Sequence, residues 1–403
     1  LKIYLRNLRN LLIKSPKLKL LNSKRLVMST HIYLDHGAST PVHPQVIEKM
    51  LPFWTDHYGN PSSSHAHGRS AGFALDEARL TIAQLMNAQA KEIVFTGCGS
   101  ESDNLAIRGV MWAARINNTG NHLITSAIEH EAVLETAVQL RDQFNFDVTI
   151  LGVDEYGRVS VDDVAAAIRP DTALISIMAA NNEIGTMQPI QQIGALARAH
   201  GILFHTDAVQ AAATTRWDMQ TMPIDLISFA PHKFYGPKGV GMLYVRDGIE
   251  LVSALTGGGQ EDGRRSGTVN VAFAVGAAEA FKLAQDNLEA QLAHYTGLRD
   301  QLIAGVLAAV PAADIMLTGH PTERLPHHAS FALKNLSGND LLMHLDMAGI
   351  CASSGSACKT GDPKPSAILE TIGLDPAWTK GGLRFTVGSQ NTPAHIEHVI
   401  QSM

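Results

Sequence analysis

Cysteine is scarce in this chain. Three occur in 403 residues, at Cys98, Cys351 and Cys358, and no two of them form a C-x-x-C pair. That excludes a disulfide framework and a zinc knuckle, and it points to free thiols in a reducing, cytoplasmic setting. Long apolar runs are also missing. No stretch of 18 apolar residues occurs, so no membrane span is expected. A cationic surplus is absent too: 38 acidic residues outnumber 32 Lys and Arg, for a formal charge of −6, which argues against a nucleic-acid surface. His65, His67, His327 and His328 are not joined by a third ligand at metal-site spacing, and no metal is expected. What is present is the composition of an ordinary globular chain, 45% hydrophobic and 17% charged, and long enough for two lobes.

Residues 1–27 stand apart, with eight Lys and Arg and no acid. Leu1, Tyr4, Leu5, Leu8, Leu11 and Leu12 fall at helical spacing, as in a basic amphipathic targeting helix. The alternative is upstream sequence ahead of a start at Met28, where "MSTHIYLDHG" reads as a natural beginning. Either way the segment is set aside from the fold.

From Glu92 onward, short apolar runs alternate with helical patterns. "EIVFT" (92–96), "HLITS" (122–126), "DVTIL" (147–151), "ALISIM" (173–178), "ILFHT" (202–206), "DLISFA" (225–230) and "GMLYV" (241–245) read as strands. Intervening segments such as "IQQIGALARAH", closed by Gly201, read as helices. The alternation predicts a mainly parallel sheet with helices on both faces, and places ligands beyond the carboxyl ends of the strands. A helical stretch over about 269–307 is expected to lead into a second lobe that begins near residue 290.

The strand ends carry the chemistry. "GCGSESDNLAIRG" follows the first strand: Gly97 and Gly99 allow a tight turn, Ser100 offers a hydroxyl, and a helix N-terminus presents free N–H groups to an anion. The dinucleotide fingerprint is incomplete there, since Ser102 stands where a third glycine is needed, which disfavours a nucleotide-dependent oxidoreductase. Asp207 and Gln210 follow "ILFHT", and Lys233 lies in "PHKFYGPKG". A phosphate turn, a carboxylate and a lysine together point to pyridoxal 5'-phosphate. The lysine bonds the cofactor, and the carboxylate keeps its ring nitrogen protonated. His130 after another strand is suited to stacking on a flat ring, and Asn181, Asn182 and Glu183 need polar partners. "SSGSACKTGDPKPS" puts Cys358 among Ser, Gly, Lys and Pro, an accessible arm instead of a core position.

The stretches "YLDHGASTPV", "YGNPSSSH", "IVFTGCGSESDNLAI", "EHEAVL", "NNEIG", "HTDAVQ", "HKFYGPKG", "RRSGT", "SSGSAC" and "LRFTVG", in this order, resemble the cysteine desulfurases of the NifS/IscS kind. These are pyridoxal-phosphate enzymes of the class V aminotransferase group. The resemblance implies a type I PLP-dependent transferase fold of class α/β: a mainly parallel seven-stranded sheet plus a smaller α+β domain. It implies a large cofactor-binding domain over 43–290, with 28–42 and 291–403 forming the small domain and carrying the cysteine loop. It implies roles as well. Lys233 would hold the cofactor covalently and move the Cα proton, Asp207 would pair with the ring nitrogen, Gln210 with the phenolic oxygen, and His130 would stack on the ring. Gly99, Ser100 and His232 would hold the phosphate, with Thr268 reaching across from a second subunit of a homodimer. Asn182 and Arg384 would hold the carboxylate of L-cysteine. Cys358 would take the sulfur as a persulfide, release L-alanine, and pass the sulfur to an acceptor protein.

The sequence departs from the family at Ala230, where a serine is usual, at Pro231, at Asp262, where an arginine is usual, at Ser389-Gln390-Asn391, and at Cys98. These departures predict weaker cofactor retention. They also motivate an alternative, a catalytically degenerate partner-binding homologue. Selenocysteine lyase or cysteine β-lyase chemistry on the same fold is a further alternative; the "SSGSAC" loop argues against direct elimination, which needs no protein thiol. The chain ends soon after the last motif, so a tail that engages an iron–sulfur scaffold is not expected. Iron–sulfur assembly, tRNA thiolation, sulfur-modified cofactors and DNA modification are all compatible acceptor routes.

Overall fold

The computed structural model describes residues 31–354 and 365–403. The basic extension and Cys358 lie outside the described residues. The first strand, β1 (Ile32–Tyr33), precedes a central sheet built from β2 (Ile93–Thr96), β3 (His122–Ser126), β4 (Asp147–Leu151), β5 (Thr172–Ser176), β6 (Leu203–Asp207), β7 (Leu226–Phe229) and β8 (Gly241–Val245). Their order is β2-β8-β7-β6-β5-β3-β4. Strands β3 to β7 run parallel, and β8 is antiparallel to both β2 and β7. All seven strands correspond to the runs read from the sequence, within one or two residues at each end. The shift matters at β6, which ends on Asp207 itself and brings its carboxyl group to the strand terminus.

Alternate residues of each strand enter different cores, as the two-residue period of a strand requires. Leu123, Leu174 and Leu226 pack with the helices Gly99–Ile116 and Glu131–Phe144 on one face. Ile124, Ile175 and Ile227 pack with the helices Ala66–Leu85, Ile190–Ala199 and Val271–Asp286 on the other. Burial on both faces explains why the central strands read as continuous apolar runs.

The helical stretch expected over 269–307 is two helices, Val271–Asp286 and Leu288–Ala309. Asn287 separates them, its side chain donating to the Leu283 carbonyl at 2.9 Å. An asparagine side chain that competes for backbone partners interrupts a helix that its apolar neighbours would continue. The second helix packs on an antiparallel sheet of order β12-β10-β9, made by β9 (Ile315–Leu317), β10 (His328–Leu333) and β12 (Gly382–Thr386). Tyr295, Leu298 and Leu302 join Phe331, Leu383 and Phe385 in this second core. Leu34 from the start of the described chain belongs to it too, because β1 pairs in parallel with β11 (Ile350–Cys351). Among the described residues no helix is long and apolar enough to cross a membrane.

Candidate active site

Three loops beyond β2, β6 and β7 converge. After β2 the helix Gly99–Ile116 begins without a side-chain cap, since the extended Cys98 provides none. Glu101 instead accepts the Gly97 N–H at 2.6 Å, and Arg265 holds Glu101 through its Nε at 2.7 Å. A Cβ on Gly99 would lie 3.1 Å from both Ala230 Cβ and Val209 Cγ2, so glycine lets this helix start seat closely on the ends of β6 and β7. Ser100 is exposed at the turn. An uncapped N-terminus of an 18-residue helix is an anion site.

Asp207 is 6% exposed, and one carboxylate oxygen accepts the Val209 N–H at 2.9 Å. Burial raises its pKa, opposed by that N–H and by the charges of His130 and Lys233. Lys233 lies in the turn after β7. Its Nζ donates to the Gly37 and Ala38 carbonyls at 2.7 and 2.9 Å. Burial, followed by the charge of Arg384, lowers its pKa to about 8, against the opposing pull of Asp35 and Asp207. Gln210 donates to the same Gly37 carbonyl at 3.0 Å. His232 lies 3.3 Å from Ser39 Oγ, and burial lowers its pKa to about 4, helped by Lys233 and Lys238. His130 is exposed and caps the helix Glu131–Phe144, its Nδ1 accepting the Ala132 N–H at 3.1 Å.

Arg384 approaches from the second core on β12. Its guanidinium donates to the Asn182 carbonyl at 2.8 Å and to Asp35 at 2.9 Å, while its buried Nε has no partner among the described residues. An unsatisfied buried guanidinium donor favours an incoming carboxylate. The Asn182 contact runs through its main chain; the neighbouring Asn181 side chain ties the loop internally, accepting from Glu183 and Ile184 N–H. The described residues on either side of positions 355–364 bond to this site. Ser353 exchanges backbone bonds with Arg384, and Ser366 Oγ donates to Glu183 at 2.9 Å. Thr268 is exposed on the loop beyond Arg265.

Several participants escaped sequence reasoning. Asp35 is the ion-pair partner of Arg384, and Gly37 with Ala38 supplies the carbonyls at Lys233. Asp103, Glu129 and His205 are fully buried close to Asp207. His205 bridges Ser176 and Ser228 at 2.8 and 3.0 Å and lies 3.7 Å from Asp103. The signal for Asp103 was available, since it shares the buried helix face with Ala106, Ile107 and Val110.

The chain matches the aminotransferase class-V family model over residues 32–399. The chain belongs to the class-V aminotransferases. Among relatives of this family, the cysteine desulfurase IscS of Clostridium botulinum (strain Hall) is 43% identical over 374 residues, 93% of this chain and 94% of that protein. A solved NifS-like protein superposes with a TM-score of 0.85 at 33% identity, covering 92% of this chain and 97% of its own. A solved structure of SspA in complex with cysteine superposes with a TM-score of 0.75 at 37% identity, covering 88% and 98%. The mainly parallel sheet with helices on both faces is the arrangement of these class-V neighbours.

Proposed function

We propose that this protein is a pyridoxal-phosphate-dependent cysteine desulfurase that converts L-cysteine to L-alanine and leaves the sulfur as a persulfide on Cys358. The observation that carries the reading is a lysine amine, Lys233, held by the Gly37 and Ala38 carbonyls in the turn after β7, with the buried guanidinium of Arg384 near enough to lower its pKa. The similarity to IscS and to SspA, which was solved with cysteine, supports the substrate.

The donor set fits the cofactor. The N-terminus of the helix Gly99–Ile116, Ser100 and His232 suit a phosphate, Asp207 suits a protonated ring nitrogen, Gln210 a phenolic oxygen, and the exposed ring of His130 a flat face. Ala230 is buried against Gly99 and offers no hydroxyl, so the phosphate relies on the remaining donors. When bound, the cofactor supplies an electron sink for charge that develops at the substrate Cα.

The chain supplies the rest. A pKa of about 8 leaves a usable fraction of Lys233 neutral near pH 7, able to bond the cofactor and then to move the Cα proton. Arg384 orients the substrate carboxylate through Nε, beside the Asn182 loop. The Cys358 thiolate attacks the substrate sulfur. An S–S bond forms, the C–S bond breaks with its electron pair staying on carbon, and protonation completes L-alanine. A large domain over 43–290 carries the cofactor residues, and 28–42 with 291–403 carries Arg384 and Cys358. The enzyme acts as a cytoplasmic homodimer in which Thr268 completes the partner's phosphate site, and it hands its sulfur to an acceptor protein.

The test is a peptide mass spectrum of cofactor-loaded protein exposed briefly to L-cysteine and alkylated. One added sulfur on the Cys358 peptide, abolished by Lys233→Ala, is the expected result. Alanine or pyruvate released while Cys358 remains a plain thiol would replace this reading with lyase chemistry.

A further inference from the structure

The turn that carries Lys233 ends in an unusual way. Pro231–Lys233 make one turn of 3-10 helix, and the Pro231 carbonyl accepts both the Phe234 N–H at 3.0 Å and the Gly236 N–H at 2.9 Å. The bond from Gly236, which spans five residues, closes a helix end whose fifth residue must be left-handed, and Tyr235 has φ +64°. Glycine is the usual occupant of that position, because a Cβ there crowds the following carbonyl oxygen. A non-glycine residue in this conformation directs attention to what its side chain does.

Two sets of contacts leave this tyrosine. In the common form of such a turn, the Tyr235 N–H would bond the His232 carbonyl. Here Thr40 stands between them: its Oγ1 accepts from Tyr235 N–H at 2.7 Å and donates to the His232 carbonyl at 2.9 Å. The Thr40 N–H donates to the same carbonyl at 2.9 Å, and the His43 N–H donates to the Tyr235 carbonyl at 2.9 Å. The chain segment that contributes the Gly37 and Ala38 carbonyls is thereby spliced into the lysine turn. The side chain points the other way. Its hydroxyl accepts the Ser389 N–H at 2.7 Å, two residues beyond Val387 of the second core, and the side chain lines a small pocket with Tyr295, which is buried in that core. Lys233 lines a small, partly open pocket of about 30 Å³ together with Tyr235, Tyr295, His36, Thr40 and Gln210. That volume accommodates a single water and little more.

We propose that Tyr235 is the positioning residue for Lys233: its hydroxyl locks the lysine turn to the second core, its backbone splices the turn to Thr40, and together they keep bulk water from the lysine amine. This inference rests on reading Lys233 as the reactive amine. The charged groups facing that amine are Arg384, Asp35 and Asp207, and burial outweighs all three in setting its affinity for a proton. Loosening the turn admits water to the small cavity and returns the amine toward ordinary lysine behaviour.

The experiment is competitive acetylation of Lys233 in the full-length protein freed of cofactor, read by mass spectrometry between about pH 6 and pH 11, with thermal unfolding recorded on the same samples. Tyr235→Phe keeps the ring and removes the hydroxyl. Its labelling midpoint is expected to move up by about one pH unit, a tenfold loss of neutral amine near neutral pH. Thr40→Val should give the same upward shift and Thr40→Ser the parental midpoint. Tyr235→Gly relieves the backbone while deleting the side chain; it should unfold no earlier than the parent yet show the upward shift. A parental labelling midpoint in Tyr235→Phe overturns the proposal. A parent protein whose Lys233 labels like a free lysine overturns instead the reading of Lys233 as a desolvated amine, so the two failures are told apart.

Discussion

Glu129 shows how far a buried side chain departs from its solution chemistry. It accepts Ser126 Oγ at 2.5 Å and the Met178 N–H at 3.0 Å, yet burial raises its pKa to about 8, with Asp207 adding a like charge. In the unfolded chain the same group ionises near its ordinary value of 4.5. Between those two values the unfolded state sheds its proton first, so stability falls as pH rises, and the penalty is complete above about 8. Glu129→Gln can donate to Ser126 and still accept from Met178. Its advantage over the parent in thermal midpoint should therefore grow from pH 5 to pH 8; an advantage independent of pH would show that Glu129 is ionised in both states and that folding does not raise its pKa. Arg384 is the complementary case, a buried cation whose Nε awaits an acceptor. Sequence reasoning reached Arg384 through its motif, whereas Glu129 lay inside the quoted "EHEAVL" with attention only on His130. A lone glutamate in a polar stretch carries no mark of burial until the chain around it is folded.

Among the elements, the loop after β8 turns on a buried ion pair. Glu261 and Asp262 adopt consecutive left-handed conformations, at φ +50° and +55°. Glu261 is held in place by a two-pronged bond to Arg79, at 2.7 and 2.8 Å, and by the Phe95 N–H at 2.9 Å. Arg79 also donates to the Ile93 carbonyl, so one helix side chain ties the loop to β2. With Glu261 7% exposed, removing its partner leaves an unpaired buried charge. Arg79→Ala should lose about 3–5 kcal/mol of stability, measured by urea unfolding, while Glu261→Gln in that background recovers part of it. Asp262 is different. It is exposed and reaches Arg264 only at 3.4 Å, so the acid that replaces the family's usual arginine alters surface charge and not the loop's anchor. The helix ends were the most legible elements. Gly201 reads as a C-terminal glycine in the sequence and has φ +67° in the structure. The break at Asn287 was hidden because its apolar neighbours continue the helical period on both sides.

At the scale of the molecule, two cores meet around one lysine. The segment that holds the Lys233 amine through Gly37 and Ala38 is anchored in the second core by Leu34, which is fully buried, and by the Gly37 N–H bond to Thr386 Oγ1 at 2.7 Å. Leu34→Ala should cost about 2–5 kcal/mol of second-core stability, seen as a lower urea midpoint, together with faster cofactor loss on dilution; unchanged retention would show that this segment does not support the lysine.

The sequence by itself determined the seven strands, their mainly parallel pairing, the helices on both faces, and the order of the motifs at the strand ends. Those features follow from local periodicity and from residues within a few positions of each other. Only the tertiary structure decided that Asp35 answers Arg384 across 349 residues, that Thr40 enters the turn of Lys233, and that two further acids, Asp103 and Glu129, are buried beside Asp207. Desolvation and long-range hydrogen bonds depend on what the rest of the chain packs against a residue, and no pattern along the chain encodes that environment locally.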